Sequence, residues 1–177
     1  IKVGVSIGDL NGIGCEVALK SFEDKRMLGF CTPILFASKK SISYQKKALD
    51  LAIAFNGIPS VDKAAHNKLN VVNVLKEEPY VQFGKETETA GTMAIASLRA
   101  ATKALKEGKI DVLVTAPINK NNIQADDFKF PGHTDFLAQE LKGESLMLMV
   151  ANTLRVGLLT DHIAVKDVAQ TITKDLV

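Results

Sequence analysis

Short apolar runs alternate along this 177-residue chain with segments whose apolar residues recur at helical spacing, and this alternation limits the possible folds more than any other feature. Continuous short apolar runs predict buried strands, and apolar residues three or four positions apart predict helices packed on one face. Alternating strands and helices are typical of α/β proteins, so we expect a largely parallel sheet with flanking helices. The predicted strands are 2–7, 32–37, 69–75, 111–115, 146–150 and 155–160, and the predicted helices are 16–22, 43–55, 86–106 and 165–172.

Composition and charge favour a globular protein and argue against several functional classes. Hydrophobic residues make up 46% of the chain, which is enough for a sizeable core. The net charge is only +2, and the scattered lysines and arginines give no sign of a nucleic-acid partner. The one dense basic stretch, Lys39 to Lys47, is interpreted as a solvated helix face rather than an anion site.

Cysteine use and hydropathy favour a cytoplasmic location. Cys15 and Cys31 lack the spacing of a zinc or redox motif, and two cysteines in a chain of this length do not indicate a disulfide framework. No apolar run reaches the roughly 18 residues that predict a membrane span. No signal peptide is visible at the start of the sequence. We therefore expect no membrane partner.

A glycine-rich stretch, GDLNGIGCE at residues 8–16, follows the first predicted strand. Its glycine spacing does not match the dinucleotide fingerprint, and a P-loop is excluded because no Gly-Lys-Ser/Thr is present. Such glycines could cradle an anion at a helix N-terminus, but the spacing favours a tight strand-to-helix turn. Cys15 is interpreted as a buried, unreactive thiol, because no base is adjacent to it in the sequence.

A second stretch, TAPINK at residues 115–120, follows the strand predicted before it. Asn119 can donate and accept hydrogen bonds, and Lys120 is a mobile cation suited to a carboxylate or a phosphate. A substrate loop and a solvated loop are equally good interpretations of this pair. Because ligands bind beyond the carboxyl ends of parallel strands, residues 8–16, 115–120 and 160–162 are expected at one edge of the sheet.

The stretch PGHTDF precedes an apolar run of helical character. Thr134 is predicted to be the N-cap of that helix, and Asp135 suits its first turn. These roles do not account for His133, which follows a glycine that removes side-chain bulk. His133 and Thr134 could hold an anionic group between their side chains and the free backbone N–H groups of the helix start.

The stretch TDHI lies at the end of the last predicted strand. Alternation along a strand predicts that Thr160 and His162 point to one face and Asp161 to the other, so Asp161 is not expected as a co-ligand. A catalytic metal needs about three protein ligands. The chain has three histidines, and His66 is interpreted as an exposed loop residue. A structural role for His162 stays open beside a metal-ligand role.

Four stretches, in this order and spacing, resemble the family of 4-hydroxythreonine-4-phosphate dehydrogenases: GDLNGIGCE, TAPINK, FPGHTDFLA and LRVGLLTDHIAV. The resemblance implies a fold like that of the isocitrate and isopropylmalate dehydrogenases, with two α/β domains and a cleft between them. It implies oxidation of 4-phosphooxy-L-threonine by NAD or NADP, followed by loss of carbon dioxide, on the route to pyridoxal phosphate. It also implies a homodimer and a divalent metal such as zinc, magnesium or cobalt.

The resemblance assigns roles to individual residues of this sequence. His133 and Thr134 match the family's substrate-binding pair, and His162 matches the first of three metal-binding histidines. Asn119 and Lys120 match a family loop without an assigned role. The sequence departs from the family at Leu10-Asn11, where Pro-Ala is usual, and this puts the shape of the glycine-rich loop in doubt.

The family's other metal ligands and its cofactor segment lie beyond the position that corresponds to Val177. Residues 1–177 are therefore expected to be the N-terminal portion of a two-domain dehydrogenase whose second domain is incomplete in this chain. The isolated chain is expected to be inactive, because one of three metal ligands holds an ion poorly. Two alternatives remain, a non-catalytic binding or dimerisation module and a phosphate-handling acyltransferase of related fold.

Overall fold

A computed structural model describes residues 1–74, 80–124 and 128–177. The chain divides into two compact units, Ile1–Leu137 and Ala138–Val177, and each is described by itself. Within the described ranges, no helix is both long enough and apolar enough to cross a membrane.

The first unit is built on a five-stranded sheet in which every neighbouring pair is parallel, and this confirms the predicted α/β class. The strand order is β3-β4-β2-β1-β5. In register, Lys2 lies opposite Thr32 and Val3 lies opposite Val112, so β1 has a partner strand on both sides. The strands are β1 (Lys2–Ser6), β2 (Thr32–Ala37), β3 (Phe55–Ile58), β4 (Leu69–Asn73) and β5 (Val112–Thr115).

Helices cover both faces of this sheet, as the buried apolar strands require. One face of the sheet packs against Ala18, Leu19 and Ile42 of the first and third helices. The other face packs against Ala101 and Ala104 of the long fourth helix. The helices of this part of the chain are α1 (Gly14–Ser21), α2 (Met27–Phe30), α3 (Lys39–Ala48), α4 (Glu88–Lys106) and α5 (His133–Leu141).

The prediction of a helix at 43–55 is wrong in its boundaries. The helix begins at Lys39, where Ser38 caps it by accepting a hydrogen bond from the Ser41 backbone N–H. It ends at Ala48, and Phe55 already belongs to β3. Leu51 and Ile53 are buried in the irregular connection between α3 and β3, so their apolar character indicated burial and not a helix.

Other element boundaries also differ from the predictions. Asn56-Gly57 favours a helix end, because both residue types tolerate a left-handed backbone, but this interpretation is wrong, since both residues lie inside β3. The strand predicted at 69–75 ends at Asn73, and Leu75 lies outside the described residues. Such shifts are expected, because local sequence patterns fix element ends less well than element types.

The second unit contains an antiparallel hairpin and one short helix. β6 (Met147–Ala151) pairs with β7 (Leu154–Leu158), and Met147 lies opposite Leu158. Asn152-Thr153 is the two-residue link between these strands, and Asn152 adopts a left-handed conformation with φ of 50° that suits such a turn. Helix α6 (Val165–Thr171) follows. Because β7 belongs to this separate hairpin, residues 160–162 do not follow a strand of the parallel sheet, contrary to the prediction.

Candidate functional site

The strand order creates a crevice at the carboxyl ends of β1 and β5. The chain leaves β1 toward β2 on one side, whereas β5 lies on the other side of β1. This reversal is a topological switch point, where open α/β sheets bind their ligands. Residues 8–14 follow β1 and residues 116–122 follow β5, so these two loops flank the crevice. The structure confirms that the first two predicted strand-end stretches lie together.

The glycine-rich loop is shaped by its contact with the loop after β5. The backbone N–H of Asp9 donates to the carbonyl of Pro117 at 2.9 Å. Gly8 has φ of +63°, and a Cβ there would lie 2.1 Å from the Pro117 carbonyl oxygen. A Cβ at Gly14 would lie 2.5 Å from the Ile7 carbonyl oxygen. These glycines accommodate the chain's own backbone, which supports the tight-turn interpretation.

Cys15 lies at the start of α1 and is fully buried. Burial raises the pKa of its thiol to about 12. A thiol protonated at neutral pH is a poor nucleophile and a poor metal ligand. The structure confirms that Cys15 is buried, and the raised pKa agrees with its interpretation as an unreactive thiol.

The loop after β5 is fastened to the chain before α4. The Asn119 side-chain amide donates to Glu86 Oε2 at 3.0 Å, and its Oδ1 accepts from the Asn121 backbone N–H at 2.9 Å. The Asn122 amide donates to the Thr87 carbonyl at 3.0 Å. Asn119 is thus held in place beside the exposed Lys120. Sequence reasoning missed Glu86 and Asn122, because neither belongs to a recognisable motif.

His133 is the first residue of α5, and its side chain is half-buried. Its Nε2 is buried and has no hydrogen-bond partner in the described part of the chain. Burial lowers the pKa of His133, and the positive charge of Lys120 lowers it further. The neutral imidazole is therefore favoured at neutral pH. Lys120 therefore lies close enough to His133 for its charge to act on the imidazole.

Thr134 is the second residue of α5 and is exposed. The prediction that it caps the helix is wrong, because a residue with helical backbone inside the first turn cannot occupy the N-cap position. The helix begins one residue earlier than its sequence pattern suggested. Thr134 instead lies beside the backbone N–H groups that a helix start leaves without intrahelical partners.

Three phenylalanines fix the segment that leads into α5. The ring centroids of Phe128, Phe130 and Phe136 lie 5.2 to 5.4 Å apart. The Arg99 guanidinium carbon lies 5.8 Å from the centre of the Phe128 ring. Phe128 and Phe136 are buried against α4 residues such as Leu98. This aromatic cluster supports the backbone on both sides of His133, and sequence reasoning did not identify it.

His162 lies in the second unit, after the end of β7, in a left-handed conformation with φ of 51°. Its side chain is 90% exposed, and its Nδ1 lies 3.7 Å from Asp161 Oδ2. The prediction that strand alternation separates Asp161 from His162 is wrong, because β7 ends at Leu158. The carboxylate and the imidazole are therefore neighbours. Among the described residues, no group of three His, Cys, Asp or Glu side chains is arranged to hold a metal.

His66 is the third histidine and is exposed, as predicted. Its Nδ1 lies 3.0 Å from Thr32 Oγ1. Thr32 begins β2, at the opposite end of the sheet from the crevice. His66 therefore belongs to neither candidate region.

Comparisons with known proteins agree on one family. A family model described as pyridoxal phosphate biosynthetic protein PdxA matches residues 29–177. A 4-hydroxythreonine-4-phosphate dehydrogenase of Bacteroides thetaiotaomicron is 45% identical over 179 residues, which cover 100% of this chain and 49% of that protein. A D-threonate 4-phosphate dehydrogenase of Cupriavidus necator is 30% identical over 179 residues, which cover 99% of this chain and 54% of that protein.

A solved structure with the same name as the first of these relatives also matches the chain. A crystal structure of a 4-hydroxythreonine-4-phosphate dehydrogenase from Burkholderia phymatum superposes with a TM-score of 0.88 at 28% sequence identity. The match covers 99% of this chain and 54% of that chain. The chain therefore spans about half the length of the relatives that it matches.

Proposed function

We propose an oxidoreductase function from one premise: the chain belongs to the family of pyridoxal phosphate biosynthetic protein PdxA. The protein that contains these residues oxidises the free secondary hydroxyl of 4-phosphooxy-L-threonine and passes the hydride to NAD or NADP. The resulting β-keto acid loses carbon dioxide to give an amino-oxopropyl phosphate. This reaction supplies pyridoxal phosphate biosynthesis.

The observation that carries the proposal is the 45% identity, across the whole chain, with a relative named 4-hydroxythreonine-4-phosphate dehydrogenase. The relative named D-threonate 4-phosphate dehydrogenase is more distant, at 30% identity. The two substrates differ at carbon 2, which carries an amine in the first and a hydroxyl in the second. The closer relative therefore favours the amino acid substrate.

The residues around His133 are suited to bind a phosphorylated substrate. Lys120 supplies a cation, and the start of α5 supplies backbone N–H groups that favour an anion. A neutral His133 can donate one ring N–H to a substrate oxygen without bringing a second positive charge beside Lys120. Thr134 adds a hydroxyl at the same helix start. We assign these groups to holding and orienting the substrate.

Asn119 contributes to the substrate site by orienting the loop that carries Lys120. Its bonds to Glu86 and to the Asn121 backbone restrict the loop from which Lys120 projects. A restricted loop loses less conformational freedom when it binds a ligand. We therefore include Asn119 and Lys120 in the substrate site.

A divalent metal such as zinc, magnesium or cobalt fits the described residues only in part. His162 and Asp161 offer an imidazole and a carboxylate, both ordinary metal donors, but not the three ligands of a catalytic site. When bound, a divalent metal would polarise the hydroxyl and the ketone of the substrate. His162 would contribute one imidazole, and the other ligands would come from outside residues 1–177.

The length of the relatives supports the remaining parts of the proposal. Residues 1–177 are the N-terminal portion of a two-domain dehydrogenase, and by themselves they are inactive. The working enzyme is a homodimer, whose second subunit can complete a site to which this chain contributes only part. We place it in the cytoplasm, because Cys15 and Cys31 are both free thiols.

The test uses the full-length protein with 4-phosphooxy-L-threonine and either NAD or NADP, followed by the absorbance of the reduced cofactor. We expect substrate-dependent reduction by the full-length protein and none by residues 1–177 alone. D-threonate 4-phosphate is the matched alternative substrate, and faster turnover of it would contradict the proposal. Turnover of an acyl phosphate would instead support the acyltransferase alternative.

A further inference from the structure

Asn11 is a buried residue of the glycine-rich loop, and all its side-chain hydrogen-bonding groups are used. It is 3% exposed. Its Oδ1 accepts from the Gln82 backbone N–H at 2.8 Å. Its Nδ2 donates to the Lys85 carbonyl at 2.9 Å and to Thr87 Oγ1 at 3.0 Å. The Asn11 carbonyl also accepts from the Gly84 backbone N–H at 2.8 Å. One residue thus binds four positions of the 82–87 segment.

The 82–87 segment connects Asn11 to the substrate loop. Thr87 caps α4 through a bond from the Ala90 N–H, so the end of this segment is fixed on a long helix. Glu86, immediately before it, accepts the Asn119 amide at 3.0 Å. Lys120 follows Asn119 and is close enough to lower the pKa of His133. A continuous set of contacts therefore runs from Asn11 to the pair Lys120 and His133.

Geometry makes Asn11 hard to replace in this role. A side chain must accept from one backbone N–H and donate to a carbonyl and a hydroxyl from the same buried position. Only an amide has both an acceptor oxygen and two donor hydrogens at that length. Removal of the Asn11 side chain would break three partly buried hydrogen bonds to the 82–87 segment, which is unfavourable.

We propose that Asn11 is a positioning residue for the substrate site: it holds the 82–87 segment so that Glu86 orients Asn119 and, through it, the loop that places Lys120 opposite His133. This inference rests on the proposed function, because it takes the residues around the crevice to be a substrate site. Asn11 touches none of the groups assigned to the substrate. It acts through Glu86, and its replacement changes substrate binding without removing a substrate contact.

The test compares Asn11→Ala, Glu86→Ala and the double variant in the full-length enzyme. We expect Asn11→Ala to raise the KM for 4-phosphooxy-L-threonine about tenfold and to leave the KM for NAD or NADP unchanged, because substrate orientation is lost. Glu86→Ala should act in the same direction. The double variant should be no worse than the more affected single variant, since residues that act in series are not additive. Additive effects, or an unchanged substrate KM in either single variant, would overturn the proposal.

Asn70 provides a matched control. It is a fully buried asparagine whose amide donates to the carbonyls of Pro33, Ala65 and Lys68, away from the crevice. Asn70→Ala should lower stability as Asn11→Ala does and leave the substrate KM unchanged. Equal KM effects of the two alanine variants would show a purely structural role for Asn11.

Two provisions keep the result decisive. If Asn11→Ala does not fold, Asn11→Asp keeps the acceptor for Gln82 and removes both donors, and Glu86→Ala changes only an exposed side chain.

Hydrogen exchange is measured on the same variants and does not depend on activity. In the Asn11 variants, the amides of Gln82, Gly84 and Asn121 should exchange faster. Faster exchange in an enzyme without dehydrogenase activity would uphold the positioning role and reject the proposed function, whereas unchanged exchange would reject the positioning role.

Discussion

The two regions that carry candidate site residues differ in how their geometry is held. Around the crevice, loops follow the strands of a sheet that packs against a core, and His133 lies between Phe130 and Phe136 of the aromatic cluster. From Ala138 to Val177, all of which the structure describes, no residue is buried. His162 lies in this second region, which also carries exposed apolar side chains such as Leu148 and Val156.

This difference indicates which of the two regions has a core that fixes its geometry. A two-stranded hairpin buries too little apolar surface to hold its own structure in water. The crevice is different, because loops at the end of a five-stranded sheet with helices on both faces are positioned by a core. The residues proposed to bind the substrate are therefore held in place by the core of the first unit, whereas the His162 side chain is 90% exposed.

The largest expected effect is that of replacing His162, and it tests whether the second unit takes part in the function. In the full-length protein, His162→Ala should remove bound metal and reduce turnover about 1,000-fold, because the ion stabilises developing charge. Metal content by mass spectrometry and initial rates are the measurements. His66→Ala, which replaces another exposed histidine, is the control and should change neither. Normal metal content and turnover in His162→Ala would remove the second region from the site.

The next effect tests how rigid the crevice is. Gly8→Ala should lower the free energy of unfolding by roughly 3 kcal/mol, because the new Cβ meets the Pro117 carbonyl and the backbone is left-handed. Gly108 has a similar φ of +65° but nothing within 4 Å of a Cβ, so Gly108→Ala should cost only about 1 kcal/mol. Urea denaturation measures both values. Equal losses would mean that the contact between the two loops is not tight.

A smaller effect separates substrate binding from structure at the start of α5. His133→Ala should raise the substrate KM about tenfold, as expected for a lost hydrogen bond to a charged group, with the KM for NAD or NADP unchanged. Gln139→Ala, at an exposed position of the same helix, is the control. An unchanged substrate dependence in His133→Ala would exclude His133 from the site.

The smallest effect concerns pH. Burial and Lys120 lower the pKa of His133 in the folded protein from its ordinary value of 6.5. The unfolded chain therefore binds a proton more readily, and this contribution to stability is present above about pH 6.5 and is lost as the pH falls through the lower folded-state pKa. Denaturation between about pH 7.5 and pH 5 should show a smaller loss of stability in His133→Gln than in the wild type. Identical profiles would show that His133 is not buried in solution.

Local pattern predicted most of the fold and part of the site. The runs KVGVS and TPILFA indicated strands because their residues are buried, and 32–37 was predicted with its observed boundaries. Local pattern also singles out His133, Asn119 and Lys120, and their roles in a substrate site stay a prediction. Thr134 was placed in the wrong helical position, because caps depend on the entry angle of the chain and not on residue type alone.

Other features could not be read from local pattern. Glu86 belongs to no recognisable motif, and the glycine-rich stretch that contains Asn11 does not show which residues Asn11 binds. The contacts of both residues are with partners far away along the chain. The segment from Leu51 to Phe55 carries apolar residues suited to either a helix or a buried extended chain. Only its packing beside β4 decides between them.

Residue patterns were enough to predict that strands and helices alternate, that the sheet is largely parallel and that polar residues follow its strands, because burial and periodicity are properties of neighbouring residues. Only the folded chain shows that β5 lies beside β1, that the two loops meet at Gly8 and Pro117, and that Asn11 binds the 82–87 segment. These features depend on contacts between residues distant in the chain, and no local pattern records which distant partners the folded chain brings together.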